Sequence, residues 1–294
     1  MAPYENRYWA SADGVKLHAR DYAGGVGQPP LVCLPGLTRN ARDYETLAQR
    51  LAGRWRVIAV DLRGRGESGA TKDPASYVPD TYVADIEAML AELAVPRFVA
   101  IGTSLGGVVA MMLAARDPAR LAGAVLNDVG PQIEPAGLQR IRGYVGRASS
   151  FPTWMHAARA VAEGNREVYP DWGVTQWLAM AKRLYRLTPS GKIVLDYDLK
   201  IAEPFRSAPE IGAGVATPDL WGALAALDTV PTLIVRGARS DVLSLATAAR
   251  MAAALPAAEL VEVPGVGHAP TLDEPAALAA VERLLARVAQ GQQA

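Results

Sequence analysis

The sequence predicts an α/β fold: a mostly parallel sheet of eight strands with helices on both faces, interrupted by one helical insertion. Three observations carry this. Short apolar runs rich in β-branched residues, such as Leu31–Leu34, Val57–Val60 and Leu121–Leu126, alternate with stretches of helical length and periodicity, joined by short connections. The rhythm then stops between about 132 and 225 and resumes at Val230. Finally, 294 residues, half of them hydrophobic, can bury a large core without disulfides.

The elements follow in order. Tyr4 to Ser11 and Val15 to Arg20 flank Ala12-Asp13-Gly14, a hairpin signal. Alternation puts Val15, Leu17 and Ala19 on one face and leaves His18 on the solvated one. Leu31–Leu34 is a buried strand in which Cys33, the single cysteine, is a core thiol. Asn40 is placed to cap a helix through Leu51. After the strand Val57–Val60, the glycines 64, 66 and 69 spell G-x-G-x-x-G, a dinucleotide fingerprint. That mechanism needs a helix beginning at the loop, whereas Asp73-Pro74 and Pro79 follow and periodicity resumes only near Thr81.

Phe98 to Leu113 reads as strand, turn and helix, with Gly102-Thr103-Ser104-Leu105-Gly106 matching the nucleophile elbow G-x-S-x-G. A serine becomes a useful nucleophile when a tight turn lifts its hydroxyl clear of the backbone, beside a base and free amide donors. Glycines two residues either side allow that approach. The uncharged run 98–115 has the length of a membrane span, yet its glycines, Thr103-Ser104 and the bounding Arg97 and Arg116 argue against one.

Strands at Val230–Arg236 and Glu259–Val263 and a last helix from Pro275 complete the core, and residues 291–294 read as a frayed tail. Residues 1–131 and 226–294 thus form the core domain, and 132–225 a helical lid. The lid holds Trp154, Trp172, Trp177 and Trp221, expected to pack its interior or line a pocket beneath it. Its arginines 140, 142, 183 and 186 offer bidentate carboxylate donors but read more simply as exposed helix residues.

Lys plus Arg equal Asp plus Glu at 30 each, which argues against nucleic-acid and anionic-membrane partners. The N-terminus lacks the apolar stretch of a secretory signal, so the expectation is a cytoplasmic protein. No metal-ligand spacing occurs, and nothing specifies an oligomeric state.

Ligands of parallel sheets collect beyond the C-terminal strand ends. Ser104, Asp241 and His268 each follow such an end, in the chain order Ser, Asp, His. On these residues and the insertion, the whole chain resembles a lid-bearing serine hydrolase, esterase- or lactonase-like, of the α/β-hydrolase fold superfamily. The resemblance implies Ser104 as nucleophile, His268 as general base and then acid, and Asp241 as the orienting acid. Asp128 is the rival acid, because some relatives carry it at the strand end before the lid. The third histidine, His156, lies within the lid pattern. The backbone N–H groups of Leu37 and Leu105 would form the oxyanion hole, Pro35-Gly36 standing where many relatives have His-Gly. Asp61 to Ser68 is similar to a structural turn common in these proteins. Thr38 and Arg39, beside the oxyanion loop, and Trp154 and Trp177 of the lid are candidate substrate contacts. The implied activity is cleavage of a small-molecule ester, lactone or related acyl substrate without a cofactor. The alternatives are a carbon-carbon bond hydrolase, disfavoured by Ala269 where such enzymes often carry an aromatic residue, a cofactor-free perhydrolase, or a non-catalytic ligand-binding member. The family's dehalogenases and epoxide hydrolases use an aspartate nucleophile, where this chain has Ser104.

Overall fold

The computed structural model describes residues 3–207 and 219–291. The expected tail at 292–294 lies outside the described residues. The chain opens with β1 (Tyr4–Ala10) and β2 (Lys16–Tyr22), then β3 (Leu31–Leu34), a short 3-10 turn at Ala41–Tyr44 leading into α1 (Glu45–Leu51), and β4 (Val57–Asp61). Next come α2 (Pro79–Glu92), β5 (Phe98–Thr103), α3 (Leu105–Arg116) and β6 (Leu121–Asn127). The insertion carries α4 (Pro135–Tyr144), β7 (Ser150–Phe151), α5 (Trp154–Asn165), α6 (Val174–Leu184), β8 (Tyr185–Leu187), β9 (Ile193–Leu195), α7 (Ala202–Ser207) and α8 (Leu220–Ala225). The core resumes with β10 (Thr232–Gly237), α9 (Leu245–Ala254), β11 (Ala258–Val263) and α10 (Pro275–Gln290).

Eight strands form one sheet in the order β1-β2-β4-β3-β5-β6-β10-β11. β2 runs antiparallel to both neighbours, and the remaining pairings are parallel. Alternate residues of the central strands feed two different cores: Val32 and Leu34 pack with α2 and α3, Leu31 and Cys33 with α1 and α10. Burial on both faces explains why these strands read as continuous apolar runs. It also explains α3, whose uncharged run is buried from Gly106 to Ala114 against the sheet. No helix of the described residues is long and apolar enough to cross a membrane.

Two expectations are corrected here. His18 is fully buried, not solvated. β2 is flanked on both sides, and its imidazole bonds Asp61 at 2.7 Å through Nδ1 and Asn6 at 2.9 Å through Nε2. The insertion, read as helical, also contains a three-stranded antiparallel sheet in the order β7-β9-β8. Its strands span two or three residues, too few to show an alternation.

The G-x-G-x-x-G stretch builds a turn that braces the neighbouring loop. Asp61 accepts the N–H groups of Ala41 and Glu67 at 2.7 and 3.0 Å, and Arg65 donates to the carbonyl of Leu37 at 2.9 Å. Any Cβ on Gly66 would lie 2.5 Å from the Asp61 carboxylate, at φ +54. The glycines therefore serve close packing of the turn, with no helix N-terminus behind them to receive a pyrophosphate.

Candidate active site

The elbow is built by close approach. A Cβ on Gly102 would sit 2.4 Å from the carbonyl oxygen of Gly106, and one on Gly106 would sit 1.9 Å from that of Leu34. Only with both side chains absent can β5 turn directly into α3. The turn puts Ser104 at φ 52, ψ −118, a conformation that costs a non-glycine residue of order 1–3 kcal/mol. Ser104 is held there by its N–H to the Asn127 carbonyl at 3.0 Å and by its own carbonyl, which accepts from Gly107 at 2.8 Å. Leu105 is the first residue of α3, so its N–H has no carbonyl one turn back.

His268, in the loop after β11, brings Nε2 to 3.0 Å from Ser104 Oγ. Its Nδ1 lies 2.8 Å from Asp128 Oδ2. A carboxylate can only accept, so Nδ1 carries the proton and the Nε2 lone pair faces the serine hydroxyl. Asp128, at φ 56 directly after β6, is fully buried and accepts two further bonds, from the Gly237 N–H at 2.8 Å and from Ser240 Oγ at 2.6 Å. Asn127 donates to the Pro270 carbonyl at 2.8 Å and ties the histidine loop to the end of β6.

The acid beside the imidazole is thus Asp128, and the assignment to Asp241 is corrected. β6 lies between β5 and β10, so its end opens directly beside the elbow. Asp241 stands four residues beyond the end of β10, past a turn closed by Ser240 N–H to the Gly237 carbonyl at 2.9 Å. There it faces the insertion, with its carboxylate taken by Arg140 Nε and Nη2 at 2.5 and 2.8 Å. Burial would lift the Asp241 carboxyl, but the bonded guanidinium outweighs it and holds it below its ordinary value.

Ser104 and His268 open into a chamber of about 420 Å³ between sheet and insertion. Leu37, Thr38, Arg39 and Leu105 line it, with Val108, Val129 and Ile141 supplying apolar wall. Trp154 and Trp177 do not line it. They belong to the insertion's own core with Tyr169 and Met180, and Trp177 Nε1 is spent on the Trp172 carbonyl at 3.1 Å. Trp221 packs under the Arg250 guanidinium. His156 bonds Thr153 at the start of α5. Sequence reasoning missed Tyr144 and Tyr169, which line the chamber, because a tyrosine in an amphipathic helix or loop carries no mark of facing a cavity. Among the described residues no group of three or more metal-ligating side chains is placed to hold an ion.

Residues 31–281 match the family model described as "Alpha/beta hydrolase family". The chain belongs to the alpha/beta hydrolase family. This hydrolase is 38% identical over 255 residues, 85% of each chain, to the 3-hydroxybutyrate-oligomer hydrolase of Cupriavidus necator. It is 29% identical over 254 residues to the 2-(acetamidomethylene)succinate hydrolase of Mesorhizobium japonicum, covering 86% of this chain and 85% of that one. Among solved structures, an alpha/beta hydrolase from Novosphingobium aromaticivorans superposes with a TM-score of 0.92 at 58% identity, over 98% of this chain and 99% of the other.

Proposed function

We propose that this hydrolase is a cytoplasmic serine esterase that cleaves a small carboxylic ester through an acyl-enzyme, with residues 132–225 as its lid. The observation that carries the reading is the row Ser104 Oγ, His268 Nε2 and Nδ1, Asp128 Oδ2, with links of 3.0 and 2.8 Å. Oγ attacks the carbonyl carbon while its proton passes to Nε2. The negative oxygen that develops is received by the N–H groups of Leu37 and Leu105. The intermediate collapses as the imidazolium gives its proton to the departing alkoxide. Water then repeats the sequence on the acyl-enzyme, its proton going to Nε2 and returning to Ser104 as the acid leaves. Asp128 keeps the proton on Nδ1 and stabilises the imidazolium. No step calls for a cofactor.

The identity to a hydrolase of 3-hydroxybutyrate oligomers favours an ester of a short hydroxy acid as substrate. The test is release of nitrophenol from p-nitrophenyl butyrate, with Ser104→Ala as the blank. Activity retained by a folded Ser104→Ala protein would refute the reading.

A further inference from the structure

Three arginines line the chamber. Arg183 is turned to Thr46 and Asp273, at 3.1 and 3.6 Å, while Arg39 and Arg140 are held in a manner common to both. Arg39 gives Nε and Nη2 to Asp43 at 2.5 and 2.7 Å, and Arg140 gives Nε and Nη2 to Asp241 at 2.5 and 2.8 Å. Each acid occupies the side-on edge of its guanidinium, which fixes the plane. Away from the acids, Nη1 of neither arginine has a hydrogen-bond partner among the described residues, while Nη2 of Arg39 also donates to the Met180 sulfur at 2.9 Å.

Position and charge point the same way. A Cβ on Gly36 would lie 3.3 Å from Arg39 Cγ and 3.7 Å from Ser104 Cβ, so the arginine stem and the nucleophile flank one glycine. Arg140 reaches in from the opposite side, on α4 of the insertion, and Tyr144 one turn later lines the same space. Burial pushes the Tyr144 hydroxyl up, and the charges of Arg140 and Arg39 both pull against it, which ties the two guanidinium groups to one region. The side-chain exposures of 21% for Arg39 and 32% for Arg140 place them between core and solvent, where a charge-assisted bond outweighs its desolvation more readily than in a dry interior. The paired acids offset the charge of these two guanidinium groups and leave their Nη1 donors unspent.

We propose that the unspent Nη1 donors of Arg39 and Arg140 form a carboxylate subsite. The preferred substrate is then an ester that carries a free carboxylate a short chain away from the scissile carbonyl. The inference rests on the esterase reading for its activity readout and on binding alone for its second readout.

The test uses two matched pairs. The first is 4-nitrophenyl hydrogen glutarate against its neutral primary amide, with the carboxylate on the acyl side. The second is 4-acetoxybutanoate against 4-acetoxybutanamide, with the carboxylate on the departing alcohol. At least one pair is expected to show a kcat/KM ratio of about tenfold to a hundredfold in favour of the acid, carried by KM. The double variants Arg39→Gln with Asp43→Asn, and Arg140→Gln with Asp241→Asn, remove a guanidinium without stranding its carboxylate. Each is expected to bring the ratio down at least about tenfold towards unity. The same pairs are titrated calorimetrically into Ser104→Ala, where the acid is expected to bind about tenfold or more tightly than the amide. Equal hydrolysis and equal binding of acid and amide overturn the subsite and leave the esterase standing. Carboxylate-selective binding without turnover by the wild type leaves the subsite and overturns the esterase.

Discussion

Replacing Asp128 by Asn separates the two candidate acids. Asp128 accepts three bonds: Oδ1 takes the Gly237 N–H, and Oδ2 takes Ser240 Oγ and the His268 Nδ1–H. An asparagine that keeps its oxygen on Gly237 turns its NH2 towards His268. Nδ1 must then accept, the imidazole proton moves to Nε2, and the ring presents a donor to Ser104 where catalysis needs a lone pair. Loss of the correct tautomer in such a triad lowers kcat by about 10⁴, close to 5 kcal/mol of transition-state stabilisation. The side chains are nearly isosteric, so the fold persists, which thermal melting followed by circular dichroism checks. Asp241→Asn loses only a half-exposed ion pair worth about 1 kcal/mol or less, and its kcat on p-nitrophenyl butyrate should stay within about tenfold of wild type. If Asp241→Asn were the crippled variant and Asp128→Asn the active one, the acid would have to reach His268 from the β10 loop, and the geometry argued here would be wrong.

Ser104→Gly should abolish turnover as Ser104→Ala does, yet raise the melting temperature, since glycine relieves about 1 kcal/mol or more of the strain at φ 52; a melting point below that of Ser104→Ala would contradict the strained elbow. Gly106→Ala drives a Cβ to within 1.9 Å of the Leu34 carbonyl oxygen, so about 3 kcal/mol or more of stability should go, read as a fall in melting temperature of roughly 5 °C or more. The Arg140–Asp241 pair gives the third test. The folded carboxyl sits below its usual 3.8, so its contribution is complete above that value and fades as pH falls through the lower folded value. The melting-point gap between wild type and Asp241→Asn should therefore be present at pH 6 and shrink at pH 3, and a gap independent of pH would show that the pair adds no charge-linked stability.

Most of the sheet was legible because its strands are buried on both faces and separated by helices of ordinary length. Ser104 follows directly on β5, whereas His268 stands five residues beyond β11, in the loop after it. The acid was harder, since Asp128 and Asp241 satisfy the same chain order, and order carries no distance. The informative difference was that Asp128 follows the run Leu121–Leu126 after one residue, whereas Asp241 stands well past its strand. His18 misled because alternation identifies the opposite face of a strand without saying what covers it, and here Asp61, Asn6 and the ring of Tyr8 do. The tryptophans misled because a large aromatic ring serves an insertion's small private core as well as it serves a ligand.

The loop that presents His268 is fastened from above as well as from the sheet. Gly267 N–H donates to the Val168 carbonyl at 2.8 Å and Tyr169 Oη to the Ala269 carbonyl at 2.6 Å, both partners lying just after α5. The cover of the chamber is thereby also a clamp on the loop that carries the imidazole. An insertion transplanted from a relative would have to reproduce this two-point grip to keep the His268 imidazole beside Ser104.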